Sequence, residues 1–134
     1  MNWKIFGFAA AAAVACPAPA FAHHSFSMFD ADKTVTLNGT VKELEWTNPH
    51  AWLRVMVNDT VSGKAVQYAV EMGSPGQQAR VGWKPDSVKP GDKVTVKIHP
   101  LKDGSRGGQF LSAVLPNGQE LGMGGQRNNA VGAE

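Results

Sequence analysis

Cysteine is nearly missing from this chain of 134 residues: the sole one is Cys16. It falls inside an N-terminal stretch with the marks of an export signal, so the processed chain would hold no disulfide and no thiolate metal site. An excess of charge of one sign is missing too. Of the 13 Lys and Arg only Lys4 precedes residue 23, which leaves 12 against 11 Asp and Glu in the remainder. That balance supplies no basic field of the kind nucleic-acid binding needs. After residue 22 no run approaches the ~20 apolar residues of a membrane helix, so the sequence predicts no transmembrane segment in the mature chain. Catalytic signatures are equally scarce. There is no phosphate loop and no HExxH zinc motif. Glu43, Glu45 and Glu71 fall on predicted strands with no pair spaced for acid and base roles, and Ser25 and Ser74 have no nucleophile setting. Nothing in the chain asks for an enzyme.

What is present begins with that export signal. Lys4 supplies the positive charge, residues 5 to 14 are apolar and alanine-rich, and Ala20 and Ala22 give the small-x-small pattern of a cleavage site. A signal peptide over 1–22, cut after Ala22, leaves 112 residues, enough for one domain around one core. Lipidation at Cys16 is disfavoured because Ala13-Val14-Ala15 lacks the usual leucine. A Sec-type signal with no later cysteine points to a bacterial periplasm.

The mature chain is patterned for strands. Residues 23–33 form a polar lead-in with Phe26, Met28 and Phe29 available to pin it. Val35, Leu37 and Val41 share one phase while Leu44 and Trp46 take the other, and a slip beside Gly39 predicts a bulge that bends a long first strand. Residues 51–57 make a second strand with Leu53, Val55 and Val57 on one face. A third sets Val66, Tyr68, Val70 and Met72 against Ala65, Gln67, Ala69 and Glu71. Ser74-Pro75-Gly76-Gln77 announces a short helix with a capping box, ended by Gly82. Lys89-Pro90-Gly91-Asp92 turns the chain into a fourth strand with Val94, Val96 and Ile98 inward, and 109–115 is a fifth, followed by an Asn117-Gly118 turn. The order β1-β2-β3-α-β4-β5 predicts an all-β domain over 34–121, a small five-stranded OB-fold-like barrel. A seven-stranded sandwich is the alternative, with too few strands visible. Residues 122–134, rich in glycine and asparagine, offer almost nothing to bury and are expected to be disordered.

Histidine carries the sharpest chemical signal. A chain that begins at His23 places a free α-amine beside its own imidazole, a chelate that favours copper. In such a brace a second ring supplies a further ligand. His50, presented by Asn48-Pro49 on the loop between the first two strands, fits that role if the lead-in folds back. Adjacent His24 reaches across the same metal poorly, but offers a different chelate through amine, amide nitrogen and ring. His99, facing outward at the end of the fourth strand, is the remaining partner, and Met28 offers a thioether to Cu(I). Each histidine also has a plain role open to it: His50 as a strand-end hydrogen bonder, His99 as a solvated residue. A second surface is aromatic. Trp46, Trp52, Tyr68 and Trp83 are the members of a conceivable stacking platform, though Tyr68 alternates inward and Trp83 suits a core plug.

The start His23-His24-Ser25-Phe26 with Phe29-Asp30, the segment Gly39-Thr40-Val41, the block Glu45-Trp46-Thr47-Asn48-Pro49-His50-Ala51-Trp52, then Gly82-Trp83 and Pro90-Gly91-Asp92 together resemble a family of small exported bacterial proteins known as a domain of unknown function. The resemblance covers about residues 23 to 121 and departs only in the long tail. It implies export and a compact β-rich domain, and brings no activity, catalytic residue or cofactor.

Three functions follow as expectations. The first is a periplasmic copper-binding or carrier protein using His23, His50 and His24 or His99. The second is an adaptor that binds a periplasmic protein or small ligand on the barrel face through Trp46, Asn48, Trp52 and Arg54. The third, from fold analogy alone, is haem held at His99. Intact mass of the protein isolated from periplasm should show a chain beginning at His23; any other first residue removes the amine–imidazole chelate.

Overall fold

The computed structural model describes residues 26–123. After a short 3-10 turn at Phe26–Met28 come β1 (Val35–Glu45), β2 (Trp52–Asn58), β3 (Ala65–Glu71), helix α1 (Pro75–Arg80), β4 (Lys93–Pro100), β5 (Gly107–Val114) and β6 (Glu120–Gly122). The sheet order is β3-β2-β1-β4-β5-β6, and an additional β3–β5 pairing closes the first five strands into a barrel. This is the all-β, five-stranded OB-fold-like ring that the strand order predicts. No helix among the described residues is long and apolar enough to cross a membrane. The expected signal peptide, His23, His24 and most of the glycine-rich tail lie outside the described residues.

β1 holds the ring together because it serves two neighbours. Its first half pairs antiparallel with β4, from Val35–Ile98 to Thr40–Lys93, and its second half with β2, from Gly39–Val57 to Glu45–Trp52. The register skips Lys42, between Val41 opposite Val55 and Glu43 opposite Arg54. The phase slip seen in the sequence is therefore a bulge at Lys42, three residues beyond the glycine. Gly39 has another use at the handover between partners: a Cβ there would collide with the Met56 carbonyl and the Val55 side chain.

Alternation then fills the barrel. Leu37 and Val41 from β1, Leu53 and Val55 from β2, Val70 from β3, Val94, Val96 and Ile98 from β4, and Phe110 and Ala113 from β5 are all buried in one cluster. Between β3 and β4, Ser74 caps α1. Its hydroxyl accepts from the Gln77 amide, and the Gln77 side chain accepts from the Ser74 amide. Gly82, at φ 101°, turns the chain out of the helix. Trp83 follows into the core and meets Phe110 edge-on at 5.6 Å between centroids. The Gln78 amide and the Trp83 indole N–H are buried there without a hydrogen-bond partner among the described residues. β6, which the sequence pattern shows only as a turn and a lone Leu121, adds three residues to the edge of β5 and buries Leu121.

The lead-in is pinned, by one residue rather than three. Phe29 is 6% exposed and forms an antiparallel bridge with Leu101, while Phe26 is 73% exposed. Asp30 N–H donates to the Pro100 carbonyl at 2.8 Å and Lys102 N–H to that of Met28 at 3.0 Å, which extends β4 by a short ladder.

Phe110→Ala should lower the unfolding free energy by about 3–5 kcal/mol, since the cavity would open at the barrel centre. Phe26→Ala should change it by no more than about 0.5 kcal/mol. Urea denaturation followed by tryptophan fluorescence measures both.

Candidate functional site

Sequence places His50 at the end of a proline-shaped loop, and the fold decides what it touches. The loop between β1 and β2 contains a cis Asn48-Pro49 peptide, and the Thr47 hydroxyl donates to the His50 carbonyl at 3.0 Å. Asn48 is exposed, and the hydrogen bond that braces the turn comes from Thr47. Beyond the loop, Ala51 N–H donates to the Gly73 carbonyl and Met72 N–H to the Ala51 carbonyl, so the β2–β3 ladder continues one step past the strand ends. That step brings the His50 ring over the end of β3. Its Nδ1 lies 3.0 Å from the Met72 carbonyl and 3.5 Å from Oε1 of Glu71. A carbonyl only accepts, so Nδ1 carries the proton and donates. Nε2 is left with its lone pair and makes no hydrogen bond among the described residues, on a side chain 37% exposed.

Glu71 is the residue the sequence reading missed. Alternation assigns it to the outer face, correctly, and an outer-face glutamate on a strand is expected in solvent. It is instead buried, its side chain 10% exposed. The cover comes from far along the chain. A cavity of about 100 Å³ beside it is lined by Met28 and Phe29 of the lead-in, Trp52, Leu101 and Arg106, with Gly107 and Gly108 as its floor. Only the register could have revealed this. Glu45, Trp52, Glu71, Gln109 and His99 are successive partners across β1, β2, β3, β5 and β4, and so form one outer row around the ring.

His99 ends that row. Its Nδ1 donates to the Lys33 carbonyl at 2.7 Å, which ties the lead-in to β4. His99 and Glu71 are two strands apart, about 10 Å at ordinary strand spacing. The structure therefore sets His50 and Glu71 side by side and leaves His99 at a distance. Among the described residues no group of three His, Cys, Asp or Glu gathers as a metal site.

The aromatic surface is thinner than its sequence suggests. Trp83 is a core residue, and Trp46 and Tyr68 are packed against the core. Trp52 lies on the outer face under the Arg54 guanidinium, 5.1 Å from the ring centroid. Arg54 is itself occupied: its Nε donates to Glu45 Oε1 at 2.7 Å and its Nη2 to Oε2 at 3.3 Å. Those hydrogen bonds, and then the guanidinium charge, hold the Glu45 carboxyl below its ordinary 4.5.

A model of a family of unknown function (DUF6152) matches residues 11–110 of the chain. No curated protein and no solved structure matches it.

The folded-state pKa of Glu45 is depressed, so the pair stabilises the fold above the unfolded value of about 4.5 and loses that contribution as pH falls through the folded value. Arg54→Met should cost no more than about 1 kcal/mol at pH 7, because both side chains are partly solvated. The difference from wild type should shrink as urea titrations are taken below pH 4.5.

Proposed function

We propose that this chain, which belongs to the DUF6152 family of unknown function, is an exported periplasmic protein that binds a transition metal, copper in the first place. The amine and ring of His23 and the ring of His50 are the ligands. One observation carries the reading: His50 has its Nδ1 tied to the Met72 carbonyl and its Nε2 open on a half-exposed ring. A histidine held that way has a fixed tautomer and one nitrogen aimed outward, as metal-ligating histidines are held.

A second fact supports the partnership with His23. Met28 and Phe29 line the same cavity as Glu71, whose carboxylate stands 3.5 Å from the His50 ring. Three residues, 23 to 25, precede the 3-10 turn at Phe26–Met28, and an extended chain covers up to about 3.5 Å per residue, about 10 Å in all. A terminus that leaves the barrel at this turn starts close to the row of outer residues that includes Glu71. Amine and imidazole nitrogens suit Cu(II), with nickel and zinc behind it in the general affinity order. Without cysteine in the processed chain, and with the Met72 side chain buried in the core, the set is less suited to Cu(I).

Capture of a partner on the barrel face is the weaker reading. Arg54, the cation of that candidate set, is already engaged by Glu45, and Trp52 is stacked beneath Arg54.

The test is titration of periplasm-purified protein with Cu(II), followed by EPR. One stoichiometric, nitrogen-rich signal is expected, lost in His23→Ala and weakened at least tenfold in His50→Ala or when a methionine is added before His23. Equal binding by the extended protein would sink the amine chelate.

A further inference from the structure

Glu71 has no ordinary reason to be where it is. A carboxylate on an outer strand face normally keeps its water. This one is buried against a cavity lined chiefly by Met28, Phe29, Trp52, Leu101 and the paired glycines, and lacks a hydrogen bond from any of them. Arg106 lines the same cavity without an ion pair to Glu71; the side-chain nitrogen that faces the carboxylate among the described residues is His50 Nδ1, at 3.5 Å. Burying a charged acidic group without a partner costs several kcal/mol, and a cation nearby offsets that cost. The His50 ring stands between that carboxylate and the open nitrogen.

We propose that Glu71 is the positioning residue of a carboxylate–histidine pair, which with the Met72 carbonyl presents Nε2 of His50 to a divalent metal ion. This rests on the metal reading above and narrows it. The carboxylate does not touch the metal. It faces Nδ1, on the other side of the ring, and acts through the imidazole in two ways. It lies 3.5 Å from the Nδ1 whose proton the Met72 carbonyl accepts, so it adds an electrostatic preference for the Nδ1–H tautomer. Its negative charge, in a poorly solvated setting, strengthens the attraction of Nε2 for a cation. A doubly charged ion gains more from that field than a singly charged one, so the site selects Cu(II) or Zn(II) over Cu(I). Phe29 and Glu71 line the same cavity, so the lead-in stands beside the carboxylate.

Removing such an orienting group weakens metal affinity by about 10–100-fold in known sites, and Glu71→Gln, which keeps shape and hydrogen-bond capacity, isolates the charge. The full mature protein, wild type and as Glu71→Gln, Glu71→Asp and His50→Ala, is titrated separately with Cu(II) and Zn(II) by calorimetry, and the Cu(II) forms are examined by EPR. The expected result is a tenfold or greater loss in Glu71→Gln, partial recovery in Glu71→Asp, and altered Cu(II) hyperfine parameters in both, with the urea midpoint of each variant recorded alongside. In the metal-free wild type, imidazole ¹⁵N NMR should find the proton of His50 on Nδ1. A proton on Nε2 overturns the proposal whatever the metal does. If His50→Ala loses binding while Glu71→Gln binds like wild type, the role of Glu71 falls and the copper reading stands. If Zn(II) binds in a Glu71-dependent way and Cu(II) does not, the pair stands and copper falls. If neither ion binds the wild type, both fall.

Discussion

Three residue pairs close this barrel: Ala69 with Gly107, Val70 with Gly108, and Glu71 with Gln109. The seam is short and parallel, and glycines at 107 and 108 let β5 approach closely both β3 and β4. A Cβ on Gly107 would strike the Ala69 carbonyl, and one on Gly108 would strike the His99 carbonyl. Everything of functional interest hangs on this approach. It converts an open meander into a ring, sets Glu71 beside the β4–β5 hairpin, and leaves a glycine floor against which Phe29 and Met28 can settle.

From the seam outward the structure is a sequence of small consequences. Phe29 bridges to Leu101 because the hairpin end stands next to the seam, and the carbonyl of Lys33 meets His99 because the lead-in continues along β4. The two described histidines are therefore both held at Nδ1 by backbone carbonyls, yet for different ends. His99 fastens the lead-in to the barrel. His50 is fastened to the barrel by the end of β3, with Glu71 behind it and a free nitrogen in front.

Most of the barrel was legible before any coordinates. Valines and leucines at period two named the inward faces of β2, β3 and β4. Ser74-Pro75-Gly76-Gln77 specified its capping box, because N-terminal caps are local hydrogen-bond chemistry among four consecutive residues. The bulge was legible as a change of phase, though placed at Gly39 rather than Lys42; a phase change fixes an interval between Val41 and Leu44 but not which residue is left unpaired. β6 was not legible, since three residues beside a turn carry too little periodicity to mark a strand. Of the candidate residues, His50 and His99 could be named from type and position. Glu71 could not be distinguished from any outer-face glutamate, because its burial depends on Phe29, forty-two positions earlier.

The sequence by itself determined what each segment can be: strand faces, helix cap, turns and near-neutral charge. These follow from neighbours within a few positions, where side-chain period and backbone preference act. Only the tertiary structure decided what meets what. Pairing β3 with β5 brings together residues 38 positions apart, Glu71 and Gln109, and the lead-in crosses that seam from farther still. Such contacts are set by the register of a closed ring and the space its glycines leave. For that reason the chemistry at His50 is decided by partners its own loop never names.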